Sequence, residues 1–483
     1  MAKNPSSEAD DNRASPISEA FSDFIRSGWA THTPAPATAW AVASYAAGRR
    51  KNISKQFPEK TLLFPAGATK QRSNDTDYPF RPHSAFTYFT GWGFSALPDS
   101  VLWGTPTDNG HHWSLVMRPP APRTSDEFYA RADIGEFWTG RRPSLEEVRI
   151  WLGLDTLDIA GFVLEEALIG DAGIIRESDP GLTAALDLFR KTPSDHHPVD
   201  EDLARAASEM RLVKDSLEIS ELQEAVQATH RGFADIIAAL PGAVGHERGE
   251  RVVEGAFNSR ARIEGNGVGY DSIVASGSHA CILHWVTNDG PIRDGDLLLI
   301  DAGVERDSLY TADITRTLPV NGRFSPTQRE VYEAVLEAAD AAFAIVKPGV
   351  VFRELHEAAM QVIARRVSEW GLLPLSLEET LQTDGQLHRR YMIHGTSHHL
   401  GLDVHDCAGA RKDMYIDGVL RAGMVFTIEP GLYFQPDDET VPTKWRGIGV
   451  RIEDNILVTP EGGLNLSAEI PRTPDAIQAW MAR

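Results

Sequence analysis

The sequence predicts a mixed α/β protein built as two domains, on three observations. The chain has 483 residues, more than one ordinary core organises. A first region, residues 36–190, mixes short apolar runs with polar loops and a helix start. In a second region, amphipathic helical stretches alternate with apolar, strand-like runs, so that it reads as two similar halves.

In the first region, Leu62–Phe64 and Val101–Trp103 read as short strands and Glu146–Leu152 as a helix start. Residues 1–16 have the polar composition of a disordered tail. Arg190–Asp202, polar and proline-containing, reads as the interdomain linker. The expected domains are an extension over 1–35, disordered or helical, an N-terminal domain over 36–200 including the linker, and a catalytic domain over 201–483.

The second region opens with Asp215 and Glu218 at capping-box spacing. Leu222, Val226, Phe233, Ile237 and Leu240 then share a helical face, and Pro241-Gly242 is expected to stop it. A second helix starts at Ser325, with Pro326 at its first position and Gln328 completing a box, and ends at Lys347-Pro348-Gly349. A third runs from about Phe352 to Trp370. Extended segments are expected at Ser272–Val286, Asp296–Asp301, Met392–Val404, Met424–Phe434 and Val450–Val458.

Composition narrows the function classes. The net charge is 47 − 69 = −22, which disfavours nucleic acid and anionic membranes as partners. No apolar run is long enough to span a membrane, and the polar N-terminus lacks a signal peptide's basic start and apolar run. Cys281 and Cys407 are the only cysteines, so a disulfide framework is excluded and a cytoplasmic location is expected.

Five potential metal ligands sit in apolar, strand-like settings. They are Asp301 in LLLIDAG, Asp313 in YTADITRT, His398 in HGTSHHLG, Glu429 in VFTIEPG and Glu453 in GVRIEDN. A carboxylate following a run such as Leu297–Ile300 is expensive to bury unless it is paired or coordinated. Two divalent cations about 3.5–4 Å apart need shared anionic oxygens to offset their repulsion, and carboxylates can bridge where imidazole cannot. Oxygen-rich ligation with one histidine and no thiolate suits Mn²⁺, with cobalt, iron or zinc open by the same argument. A hydroxide bridging the ions would be the nucleophile. His284, His394 and His405 flank this set, whereas strand alternation turns His399 to the opposite face.

DAG…ADITRT, HGTSHHLGLDVHD, TIEPGLY and GIGVRIEDN resemble the motifs of the Xaa-Pro aminopeptidases (aminopeptidase P), which are pita-bread metallopeptidases related to prolidase and methionine aminopeptidase. QRSNDTDYPFRPHSAFTYFTGW and FWTGRRPS are similar to stretches of that family's first domain, so the resemblance runs from about residue 36 to the end. It implies a creatinase-like α/β N-terminal domain and a C-terminal pita-bread domain with a curved antiparallel sheet. By the same resemblance, Asp301 binds one metal, His398 and Glu429 bind the other, and Asp313 and Glu453 bridge both. The resemblance also makes His284, His394 and His405 substrate-handling residues and Arg451 with Tyr433 a pair that orients a ligand; a carboxylate touching both metal and attacking water, as Glu429 would, is further placed to shuttle the proton. The implied reaction releases residue one from peptides with proline at position two, and the implied assembly is a homodimer or homotetramer. Asp313 follows Asp301 by twelve residues, one more than the family's spacing, which a hairpin would absorb as a bulge or longer turn.

Two other readings compete. A prolidase-type Xaa-Pro dipeptidase shares the metal set and differs in what closes the pocket. A pita-bread binding module without catalysis would lack several ligands, and all five are present.

Overall fold

The computed structural model describes residues 17–31, 36–74, 76–162, 172–190 and 197–482, so the tail expected at 1–16 lies outside the described residues. The chain forms two compact units, Met1–Ala204 and Arg205–Arg483. Mixed α/β structure fills both, as the sequence predicts.

In the first unit a short helix, Glu19–Ile25, is capped by the Ser18 hydroxyl. Helix α1 (Val42–Gln56) precedes β1 (Leu62–Pro65), which pairs antiparallel with β2 (Val101–Thr107). β2 pairs in turn with β3 (Gly110–Met117). Helix α2 (Leu145–Leu152) begins in a Ser144/Glu147 capping box. β4 (Asp155–Asp158) and β5 (Gly173–Ile174) add parallel edges, giving a sheet ordered β4-β3-β2-β1-β5. Part of the expected linker is instead helix α3 (Pro198–Met210). Pro198 suits a first helical turn, where no amide bond is lost, and Asp200 and Glu201 favour its positive end. Asp200 is buried and pairs with Arg190 at 2.7 Å and Arg176 at 3.0 Å.

The second unit opens with α4 (Ser216–Ala243), started by the expected Asp215/Glu218 box. It does not stop at Pro241. Proline there removes only its own amide bond, and Val244 N–H still donates to Leu240 O at 3.1 Å. Ile236 rather than Ile237 is its fully buried isoleucine. Next come α5 (Gly249–Glu264), β6 (Gly267–Val268), β7 (Ile273–Ser276), β8 (Leu297–Ala302), β9 (Val304–Glu305) and β10 (Ile314–Pro319). The second half repeats the order with α6 (Pro326–Ala344), α7 (Arg353–Glu369), β11 (Val425–Ile428), β12 (Gly431–Tyr433), β13 (Gly449–Arg451), β14 (Asp454–Val458) and β15 (Gly463–Asn465). α6 carries the predicted Ser325/Gln328 box with Pro326 in its first turn.

All these strands pair antiparallel: β7-β8-β10, β6-β9, β11-β14-β15 and β12-β13. The Glu453 N–H donates to Thr315 O at 3.1 Å, and Arg451 N–H donates to Thr317 Oγ1 at 3.2 Å, joining β10 to the β13–β14 stretch. One apolar core runs beneath, shared by Phe233 and Phe257 from the first helix pair and Val335 and Ile363 from the second. The expected strand at Met392–Val404 is irregular instead. Thr396, His398 and Leu400 still bond alongside β11, to Glu429, Thr427 and Val425, at 2.7, 2.9 and 3.1 Å.

Asp454 reads from sequence as a turn or cap residue, but it is buried at the start of β14. Its carboxylate meets Arg316 at 2.7 Å, and the same guanidinium reaches the carbonyls of Glu453 and Ile470 at 2.6 and 3.0 Å. Arg316 is fully buried, so Asp454→Ala strands a charge without water. The expected cost is about 3–5 kcal/mol, read as a lower urea midpoint. An unchanged midpoint would show the pair to be dispensable.

Candidate metal centre

A cavity of about 480 Å³ in the second unit is lined by Asp301, Asp313, His398, Glu429, Glu453 and Arg451. His284, His394 and His405 share that lining, so the nine residues singled out from sequence meet at one place.

The β8–β10 hairpin supplies the two aspartates. Asp301 stands opposite Thr315, Ala302 opposite Ile314 and Glu305 opposite Thr311, so the register is constant and no bulge intervenes. The long spacing is absorbed in a three-residue turn, Asp307–Leu309, closed by Arg306 N–H to Tyr310 O at 2.9 Å. Leu309 takes a left-handed φ of 72°, a conformation uncommon outside glycine. With this register, Asp301 and Asp313 share a face. Asn455 fixes the second of them by its backbone: Asp313 N–H donates to Asn455 Oδ1 at 3.2 Å, and Asn455 Nδ2 donates to Asp313 O.

Three ligand atoms, one each from Asp313, His398 and Glu453, lie within 4.8 Å of one another. Glu429 joins them through His398, whose Nε2 is 3.2 Å from Asp313 Oδ2 and 3.3 Å from Glu429 Oε1. His398 Nδ1 lies 3.2 Å from the His399 carbonyl. A carbonyl only accepts, so Nδ1 holds the proton and Nε2 is the nitrogen turned to the carboxylates. Asp301 is held by Arg451 Nη2 at 2.6 Å, and the Tyr270 hydroxyl touches Asp301 Oδ1 at 2.7 Å and also Asp313 Oδ1. Thr315 donates to Glu453 Oε2 at 2.7 Å, while buried Glu453 Oε1 has no partner.

Crowded, dehydrated carboxylates resist ionisation. Burial raises Asp301 above the usual carboxylate range, against the pull of Arg451. Burial, reinforced by Asp313, Glu429 and Asp301, lifts Glu453 much further. Burial likewise pushes Glu429 up to about 7. Burial opposes ionisation of Asp313 too, but the His398 hydrogen bond and charge outweigh it and hold Asp313 low. The same contacts overcome the burial of His398 and raise it to about 9. Divalent cations fit this set: they would neutralise the acids, take the imidazole's lone pair and engage the orphaned oxygen of Glu453.

The remaining predicted residues form the wall. Arg451 Nη1 donates to Tyr433 Oη at 3.1 Å, Tyr433 Oη lies 2.8 Å from His394 Nε2, and His394 Nδ1 lies 2.7 Å from Gly395 O. Each proton in that chain has one direction: guanidinium to phenol, phenol to Nε2, Nδ1 to carbonyl. Burial keeps His394 neutral, with its pKa down to about 4. The His405 ring packs edge-on against His398 at 4.5 Å. Buried His399 turns to the opposite face, stacking on Phe352 at 4.7 Å, as strand alternation predicts.

Sequence reasoning missed Tyr270, Thr315, Asn455 and Glu250. Glu250, fully buried in the first turn of α5, accepts from Ser276 N–H, Gly290 N–H, Trp285 Nε1 and His279 Nδ1 at 2.7–2.9 Å. It thereby ties down the loop that carries His284. The available signal was a glutamate on the buried face of an amphipathic helix.

Residues 220–460 match metallopeptidase family M24, and residues 46–162 match the aminopeptidase P N-terminal domain. Xaa-Pro aminopeptidase 2 of Streptomyces coelicolor is 48% identical over 97% of this chain and 97% of its own. The Xaa-Pro aminopeptidase of Escherichia coli is 33% identical over 90% of this chain and 96% of its own. Among solved structures, Pseudomonas aeruginosa aminopeptidase PepP superposes with a TM-score of 0.79 at 33% identity, covering 92% of this chain and 99% of its own. Escherichia coli aminopeptidase P in complex with substrate gives 0.78 at 31% identity, with the same coverage. On this similarity, which extends through both units, the chain belongs to the Xaa-Pro aminopeptidase (aminopeptidase P) family of M24 metallopeptidases.

Proposed function

We propose that this enzyme hydrolyses the bond between an N-terminal residue and a penultimate proline, using two divalent cations held by Asp301, Asp313, His398, Glu429 and Glu453. The observation that carries the metal assignment is the partnerless buried oxygen of Glu453 amid three other buried or half-buried acids. When bound, such cations would neutralise the carboxylates, polarise the scissile carbonyl and make a water acidic enough to attack. Mn²⁺ suits four carboxylates with a single imidazole. Asp313 and Glu453 would be the bridging pair.

Glu429 takes the proton from the attacking water and returns it to the departing proline nitrogen. Its carboxylate stands 3.3 Å from His398 Nε2, at the edge of the acid cluster where the attacking water would sit. Arg451 fixes Asp301 and, through Tyr433, His394. His284, His394 and His405 form the wall that receives substrate. The free α-amino group of the peptide belongs beside Asp301, which restricts cleavage to residue one. Residues 36–200 serve as the N-terminal aminopeptidase P domain and 201–483 as the catalytic domain, in a cytoplasmic homodimer or homotetramer.

Proline has no amide hydrogen and a fixed φ, so a site built for its ring needs an apolar wall and no acceptor for that hydrogen. Three substrates test the reading: a Xaa-Pro-Yaa tripeptide, its alanine analogue and the Xaa-Pro dipeptide. The expected kcat/KM favours the proline tripeptide over the alanine one by about 100-fold. Equal rates for the two would reject proline specificity, and faster cleavage of the dipeptide would overturn the aminopeptidase reading.

A further inference from the structure

The first unit holds a second cavity, of about 730 Å³, remote in sequence from the metal centre. Helix α1 forms one wall. Ala47, Arg50, Lys51, Ser54 and Lys55 all line it, and their spacing of three and four residues puts them on one helical face. Arg149 also lines it, its guanidinium already paired with the Glu146 carboxylate through two bonds of 2.7 Å, and His111 and Trp113, stacked with centroids 5.4 Å apart, supply aromatic surface. Among the described residues Asp155 is the single acid of the lining, and its carboxylate is 3.5 Å from His112 Nε2.

This clustering is unexpected in a chain of net charge −22. Lys51 and Lys55 stand one turn apart, where like charges repel. Arg50 is only 4% exposed, yet its one bond is from Nη1 to Phe89 O at 2.7 Å, and it has no acidic partner among the described residues. Burial without a counter-ion pulls its pKa down to about 10. A buried guanidinium left unpaired is destabilising, and an anion delivered to the cavity would relieve both it and the lysine pair. The volume is that of a site for a small organic molecule.

We propose that this cavity binds a small phosphate-bearing anion, with Arg50 as its buried anchor and Lys51 and Lys55 as its rim. Arg50 offers the fork geometry that phosphate accepts. The cavity shares no lining residue with the metal centre.

The test is calorimetric titration of inorganic phosphate into the full metal-loaded chain and into a Lys51→Gln/Lys55→Gln variant. Both lysines are exposed, so the variant is expected to fold and to keep the wild-type kcat/KM on a Xaa-Pro-Yaa peptide. Saturable binding of one phosphate per chain, weakened at least about tenfold in the variant, is the expected result. Arg50→Gln should abolish that binding if the protein folds. Succinate is titrated in parallel at equal ionic strength. Absence of saturable phosphate binding, equal binding by wild type and the lysine variant, or binding of succinate in preference to phosphate would each overturn the proposal.

Discussion

Asp313→Ala is expected to lower kcat/KM by about 1,000-fold or more, because the cations supply several kcal/mol of transition-state stabilisation. Of the four acids in the cluster, Asp313 alone is held below the usual carboxylate range, through the hydrogen bond and charge of His398. It is also the one whose backbone is pinned on both sides by Asn455. Removing it takes away an anionic ligand from the middle of the cluster and leaves His398 Nε2 facing Glu429 alone. On the proposed two-cation site, the bound metal should fall by about one ion of two, and the ion left behind would be poorly neutralised. Exhaustive chelation of the wild-type enzyme should reproduce the loss, and added Mn²⁺ should restore the wild type but not the variant. Metal analysis alongside kinetics decides the matter. Full activity in Asp313→Ala, or in thoroughly chelated wild type, would remove the bridging assignment.

Glu429→Gln should separate ligation from proton transfer. The amide keeps the shape and one coordinating oxygen but is a far weaker base. Loss of a positioned proton carrier is worth about 10²–10⁴-fold, so kcat should fall by that amount while much of the metal remains. Glu429 N–H is bonded to Thr396 O at 2.7 Å, which holds the side chain's root in place in the variant. A variant that binds metal and turns over normally would mean that the proton travels by another route.

Much of this centre was legible in the sequence because burying a carboxylate is costly. Acids at the ends of apolar runs, such as Asp301 after Leu297–Ile300, announce that something must compensate them. The capping boxes at Asp215 and Ser325 were legible because they are local, closing within four residues. What stayed hidden depends on contacts between distant segments. Asn455 and Asp313 are 142 residues apart, and Arg316 and Asp454 138, so no window of sequence shows either pair. The Met392–Val404 segment misled for a related reason. Its apolar pattern fits a strand, but glycines at 395 and 401 and the turn after Leu400 let it pair with β11 over only a few residues. Pro241 misled in the other direction, since a proline in a last helical turn removes little.

The Glu250 carboxylate makes the mouth of the peptide pocket a single mechanical part. Its four bonds reach both ends and the middle of the 276–290 segment, which beyond a 3-10 turn at Gly277–Cys281 has no regular structure of its own. Anyone wishing to reshape the cavity from this side therefore has two kinds of position to choose from. Leu283 and Val286 face the cavity and carry no bond to Glu250, so their side chains can be exchanged with the loop's path intact. His279, Trp285 and Gly290 belong to the anchor, and changing them would move His284 along with everything else the loop presents.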